Sequence, residues 1–349
     1  YLNMYEIIKL DTEITNRCNA ACPQCPRTGT NTGGLSDIMH RSGIYDVPVE
    51  SFDKILCSAA GLNINKVTYC GNYGDPIMHP KAMEIFEKVS GYGVKYQNID
   101  TNGGVRSVEW WSQLGKIPGM HVTFALDGLE DTNHLYRVKT KWSRIMENVK
   151  AFIKAGGTAH WIMIVFKHNE HQVEEAEQLS KKMGFESFSY KLTTRNFSPE
   201  IPGNLKVNDY KRKKKDKVIQ ADIGLPKNPK FQPSLLKDGL IEKPVSCMAE
   251  NTKQVYLTSD NRILPCCHVQ PTMWERKFKP EEHRKEPEFA DFIENEKVVT
   301  DLTDNSFDTI IESYTTVYPE LKNQWDKRNL GVCNRKCGSN FKNVKVQSS

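Results

Sequence analysis

Ten cysteines occur in 349 residues, and eight of them are grouped. Cys18, Cys22 and Cys25 lie in "CNAACPQC", spaced C-x3-C-x2-C. Cys247, Cys266 and Cys267 form a second group, continued by Cys333 and Cys337, while Cys57 and Cys70 stand alone. Thiols at such spacings close disulfides, hold zinc or ligate an iron–sulfur cluster. The first group has no fourth Cys or His beside it, since His40 is fifteen residues beyond Cys25 in a Gly/Ser-rich loop. A structural zinc site needs four protein ligands. A four-iron cluster held by three thiolates keeps one iron open for a substrate or cofactor.

Composition narrows the choice. The chain is 38% hydrophobic and 26% charged, as expected of a soluble protein of one large or two unequal domains. No apolar run is long enough to span a bilayer. The first residues, "YLNMYEIIKLDTEIT", lack the basic and apolar blocks of a secretory signal. The expected compartment is therefore the cytoplasm, where grouped cysteines are ligands or catalytic groups rather than disulfides. The net charge of +5 owes part of its excess to "YKRKKKDK", Tyr210 to Lys217. A solvated helix face explains that run more simply than a nucleic-acid partner does.

The thiols must be positioned by a fold. To about residue 195, short β-branched runs such as "EIIKLDTEIT", "KVTYCGN", "HVTFALDG" and "AHWIMIVF" alternate with helical segments such as "KAMEIFEKVSGYG" and "SRIMENVKAFIKAGG". Ser51 and Ser143 read as helix N-caps. Six β-α units predict an α/β fold with a parallel sheet, either an open partial barrel or a doubly wound sheet. Both place ligands at the C-terminal strand ends. "CNAACPQC", "CGNYGDP", "DTNGG" and "ALDG" each follow such a strand. Residues 201–245 read as a basic linker with one helix and little core, and 246–349 as a small cysteine-rich α+β domain. Within the latter, "KQVYLTSDNRILPCC" predicts a hairpin turning at "SDN". Cys57 and Cys70 read as buried small hydrophobes.

Taken in this order, these motifs resemble those of the radical S-adenosylmethionine (SAM) enzymes, over about residues 5 to 195. The resemblance implies a partial (β/α)6 barrel spanning residues 1–200. It implies a [4Fe-4S] cluster on Cys18, Cys22 and Cys25, with SAM on the open iron. "GNYGDP" resembles the family's Gly-Gly-Glu motif, whose backbone holds the methionine amino group, which implicates Gly74 and Asp75. Asn102 in "DTNG" matches a common family feature. "FALDGLEDTNHLYR" resembles Ser-x-Asp-Gly with a following arginine, which implicates Asp127 and Arg137. Gln24 stands where the family usually has an aromatic residue that touches adenine through its backbone. Ala125 replaces the usual serine, leaving the cofactor carboxylate to Arg137. Each residue has a plainer role when taken singly: the glycines serve a tight turn, and Asp127 caps a helix. Their order behind the cysteine loop favours the functional reading. The implied chemistry is reductive cleavage of SAM to a 5′-deoxyadenosyl radical, which abstracts hydrogen from a C–H bond.

"CMAENTKQVYLTSDNRILPCC" and "CNRKCG" resemble the C-terminal extensions called twitch and SPASM domains. The resemblance implies one auxiliary [4Fe-4S] cluster on Cys247, Cys266, Cys333 and Cys337, with Cys267 an alternative to Cys266. A zinc ribbon is the plainer reading. A fully ligated cluster would accept an electron, making the net reaction an oxidation. The expected partners are SAM, a small-molecule or peptide substrate, and an electron donor such as flavodoxin or ferredoxin. The seventeen residues before Cys18 leave no room for a leader-binding domain, which favours a small molecule. Two other readings are tRNA modification and a non-catalytic zinc or iron–sulfur protein. His40, Arg41, Tyr73, His168 and Arg195 are candidate substrate contacts, and no catalytic base is assigned.

Overall fold

The computed structural model describes residues 6–28, 35–192, 223–232, 241–280 and 289–339, together with the backbone of 197–201, 204–207 and 344–347. The Tyr210–Lys217 run and Arg195 lie outside the described residues. Contacts group the chain into two compact units: residues 1–17, 37–98 and 242–339, and residues 18–36, 99–241 and 340–349. These divisions do not follow the boundaries at 200 and 245. The C-terminal segment shares a unit with the chain's first strands.

In the first unit, strand β1 (Lys9–Thr12) pairs with β2 (Lys66–Tyr69) in parallel, and β2 neighbours β3 (Tyr96–Thr101). β3 ends in the second unit, where it neighbours β4 (Met120–Ala125). β4, β5 (Thr158–Val165) and β6 (Ser187–Leu192) then run parallel in order. This is the α/β parallel-sheet arrangement expected from the alternating pattern. A short antiparallel pair, β7 (Phe197–Ile201) and β8 (Asn204–Val207), follows.

The predicted hairpin is present as β9 (Gln254–Leu257) and β10 (Ile263–Leu264). Instead of standing in a separate domain, it extends the first unit's sheet, with β9 pairing in parallel with β1 from Lys9↔Gln254 to Thr12↔Leu257. Gln254 to Leu257 are all buried, so this strand needs cover on both faces. At the other edge β11 (Val344–Gln347) runs antiparallel to β6.

The helices bury one face each. Helix Trp142–Lys154 buries Ile145, Met146, Val149 and Phe152, a 3.6-residue stripe. Phe152 meets Trp111 and Phe124 in the second unit's core, where each large apolar side chain contributes about 1.5–3 kcal/mol. In the first unit, Tyr69 packs edge-on against Phe86.

Several expectations are corrected. Ser51 and Ser143 fall inside their helices, behind Val49 and Lys141. The serines that do cap are Ser107 and Ser306, whose hydroxyls accept from Trp110 N and Thr309 N. Cys57 is exposed at the end of helix Glu50–Leu56, and Cys70 is only half-buried. The 201–245 segment also supplies core: Ile223 and Phe231 are buried in the second unit, Phe231 edge-on to Tyr190. Among the described residues, no helix is long and apolar enough to cross a membrane.

Candidate cofactor site

The first cysteine group lies in the second unit, on a loop without regular structure. Cys25 N donates to Cys22 O at 3.1 Å, and Ala21 N donates to Val138 O at 3.0 Å. Asn19 and Asn102 clamp the loop side chain to side chain, each Nδ2 donating to the other's Oδ1, at 3.3 and 2.9 Å. Asn102 Oδ1 also accepts from Gly104 N. Asn102, expected as a cofactor contact, thus braces the cysteine loop. Gln24 sits half-buried in the turn between Cys22 and Cys25.

Cys22 is buried among Ala20, Tyr136, Phe166 and Ile223, with Cys18 and Cys25 packed beside it. Burial pushes its thiol up to about 11, against the pull of the Arg137 guanidinium. Arg137 Nη1 stands 3.8 Å from Cys22 Sγ, and its Nε lies 2.6 Å from Asp127 Oδ2. Burial opposes the guanidinium charge, but Asp127 and Cys22 hold Arg137 protonated above its ordinary range. Asp127 is wholly buried, and its other oxygen accepts from Ile164 N at 2.6 Å. Its carboxylate therefore positions Arg137.

The "GNYGDP" turn belongs to the first unit. Gly74 passes so close to β1's continuation that an added Cβ would lie 1.7 Å from Thr15 O, so only glycine fits. Asp75 N donates to Arg17 O, and the Asp75 carboxylate caps the short turn Pro76–Met78 by accepting from Ile77 N. Sequence reasoning missed Glu13, which is 1% exposed and accepts from both Tyr73 N and Gly74 N. Its partners lie about sixty residues away, so no local pattern marks it. Tyr73 itself is a core residue, stacked on Trp274 at 4.6 Å. His40 and Arg41 are exposed, and His168 stacks on Phe166.

The second cysteine group is also in the first unit. Cys333 and Cys337 lie one turn apart on helix Gly331–Cys337, which gives them a common face. Ser246 N donates to Cys337 O, bringing the segment before Cys247 to that helix. Burial raises the Cys247 thiol, as does the nearby Cys337, while the Glu250 and Ala249 N–H groups donate toward its sulfur. Burial raises Cys266 as well, reinforced by Cys267, Cys333 and Cys247. Cys267 differs: burial and Asp11 push it up to about 12, with Lys9 pulling it down. The charged neighbours differ: Cys267, Cys333 and Cys247 act on Cys266, while Asp11, Lys9 and Lys336 act on Cys267.

Among the described residues, no three His, Cys, Asp or Glu side chains stand ready to hold a metal ion. An iron–sulfur cluster gives each thiolate its own iron and does not require the sulfurs to converge on one point. The donor chemistry fits such clusters. Both groups are all-thiol, Cys22 has a compensating cation, and Cys247 has N–H donors to its sulfur, the second-sphere features that tune clusters.

Residues 12–179 match the family model described as Radical SAM superfamily. The chain is 24% identical over 180 residues to the GTP 3',8-cyclase of Desulforamulus reducens, which covers 50% of this chain and 52% of the relative. It thus spans about half the length of that curated relative. It is 24% identical over 274 residues to the GTP 3',8-cyclase of Peptoclostridium acidaminophilum, covering 74% of this chain and 80% of the relative. Streptococcus suis SuiB bound to the precursor peptide SuiA shares the fold, at TM-score 0.53 and 12% identity over 94% of this chain and 70% of SuiB.

Proposed function

We propose that this chain is a radical SAM enzyme, as the family-model match over residues 12–179 supports, and that it cleaves SAM and uses the product to remove a hydrogen atom from a substrate C–H bond. The observation carrying this reading is the three-thiol loop with Arg137 held 3.8 Å from Cys22. When bound, the cluster and SAM supply a 5′-deoxyadenosyl radical. The chain's residues do the rest. Cys18, Cys22 and Cys25 hold the cluster, and Arg137 offsets thiolate charge in a site where burial works against it. Asp127 fixes Arg137, and the Asn19–Asn102 pair fixes the loop. Gly74 and Asp75 would supply backbone groups for the amino end of SAM, and Gln24 a backbone contact for its adenine.

Cys247, Cys266, Cys333 and Cys337 form the ligand set of an auxiliary cluster. Four thiolates would leave no iron open, so a cluster held there would supply one-electron transfer, which fits a net oxidation of the substrate. The electron that starts the cycle comes from a flavodoxin- or ferredoxin-like donor. The substrate is a small molecule. GTP is the first to assay, because it is named in the activity of two relatives. A peptide like the one in the SuiB complex is the second.

The test is anaerobic reconstitution with iron and sulfide, then reduction with SAM and each candidate substrate. 5′-Deoxyadenosine should form, and Cys22→Ala should abolish it. Two zinc ions per chain, with no iron–sulfur absorption, would sink the proposal.

A further inference from the structure

Glu13 directly follows β1 and is surrounded by four donors, none of them charged. Oε1 accepts from Tyr73 N at 2.6 Å and Gly74 N at 3.0 Å. Oε2 accepts from Gln270 Nε2 at 2.6 Å and Ser259 Oγ at 3.3 Å. Burial pushes the Glu13 carboxyl above its usual range while these four donors work against that shift, and in the geometry present both of its oxygens act as acceptors. The network continues. Gln270 Oε1 accepts from Asn72 Nδ2 at 2.7 Å and from Tyr256 OH at 2.8 Å, and Asn72 Nδ2 also donates to Cys267 O at 2.8 Å.

In a trans peptide, N–H and the preceding C=O point in opposite directions. With the Tyr73 and Gly74 N–H groups pinned to Glu13, the Asn72 and Tyr73 carbonyls are turned away from it. An ammonium group is a pure donor and needs such acceptors. We infer that Glu13 is a positioning residue for SAM: it fixes the 71–75 turn so that the Asn72 and Tyr73 carbonyls receive the ligand's ammonium, and through Gln270 and Asn72 it ties that turn to the Cys266–Cys267 corner. This rests on the SAM reading above.

The test compares the reconstituted parent, Glu13→Gln, and the exchange Glu13→Gln/Gln270→Glu. The exchange keeps the net charge and allows every bond in the network to form with reversed polarity between the two side chains. Two readouts are taken: the SAM dissociation constant by equilibrium dialysis, and hydrogen exchange of peptides containing Tyr73 and Gly74. Glu13→Gln should weaken SAM binding by about tenfold or more and speed exchange at the turn. The double exchange should bring both within about threefold of the parent. A Glu13→Gln protein with parental affinity or parental exchange overturns the inference. So does a folded double variant that still binds weakly. If Glu13→Gln does not fold, the double variant must fold and bind like the parent, and its failure is equally decisive. A parent that takes up iron but binds no SAM sinks the functional reading and this inference together. Unchanged turn exchange in Glu13→Gln sinks the inference alone.

Discussion

At the Cys22 sulfur, burial favours the neutral thiol and Arg137 favours the thiolate, with burial the larger influence until a cluster is bound. Arg137 can serve there only because Asp127 keeps it in place. Removing one partner of a buried ion pair leaves the other charge uncompensated, at a cost of about 3–5 kcal/mol. Asp127→Asn should therefore lower stability by that order in urea unfolding and also reduce iron uptake. Parental stability would show that the pair does not carry the loop. The three thiols and Arg137 were legible in the sequence because they lie in short, recognisable strings. Asn19, Glu13, Asn72 and Gln270 were not, since each acquires its role from a partner distant in the chain. Asp127 was legible as a position, but its lack of exposure, and hence its task of holding Arg137, came only from the structure.

Short elements deliver the second cysteine group. One helical turn separates Cys333 from Cys337, the β9–β10 hairpin leads into Cys266, and Cys247 precedes a helix whose N–H groups point toward its sulfur. The two neighbours feel different surroundings: the Cys333 and Cys247 thiols act on Cys266, whereas Asp11, Lys9 and Lys336 act on Cys267. Cys266→Ser should thus cost about four irons per reconstituted chain, and Cys267→Ser none. The reverse result would reassign the ligand. In the "GNYGDP" turn, Gly74→Ala should destabilise by about 1–3 kcal/mol, because its Cβ would meet Thr15 O, and calorimetry would register this as a lowered Tm. Strands β1 to β6 could be read from their β-branched runs. The parallel pairing of β9 with β1 could not, because its register, Lys9↔Gln254, joins strands with no local turn between them.

For the molecule as a whole, the two thiol groups belong to different compact units and use different cysteines, so each set can be replaced by itself. Full reconstitution should give about eight irons per chain, falling to about four when either group is replaced by alanine. The alternating pattern made the α/β class legible, whereas the grouping of 242–339 with the first strands depends on long-range packing. Everything proposed for this chain depends on the three thiols of "CNAACPQC" supporting cleavage of SAM. The most direct measurement is 5′-deoxyadenosine released by the anaerobically reconstituted, dithionite-reduced chain. The parent should release 5′-deoxyadenosine, the protein with Cys333 and Cys337 as alanine should retain cleavage, and Cys22→Ala should release none. A parent with its full iron content that leaves SAM intact would contradict the proposal.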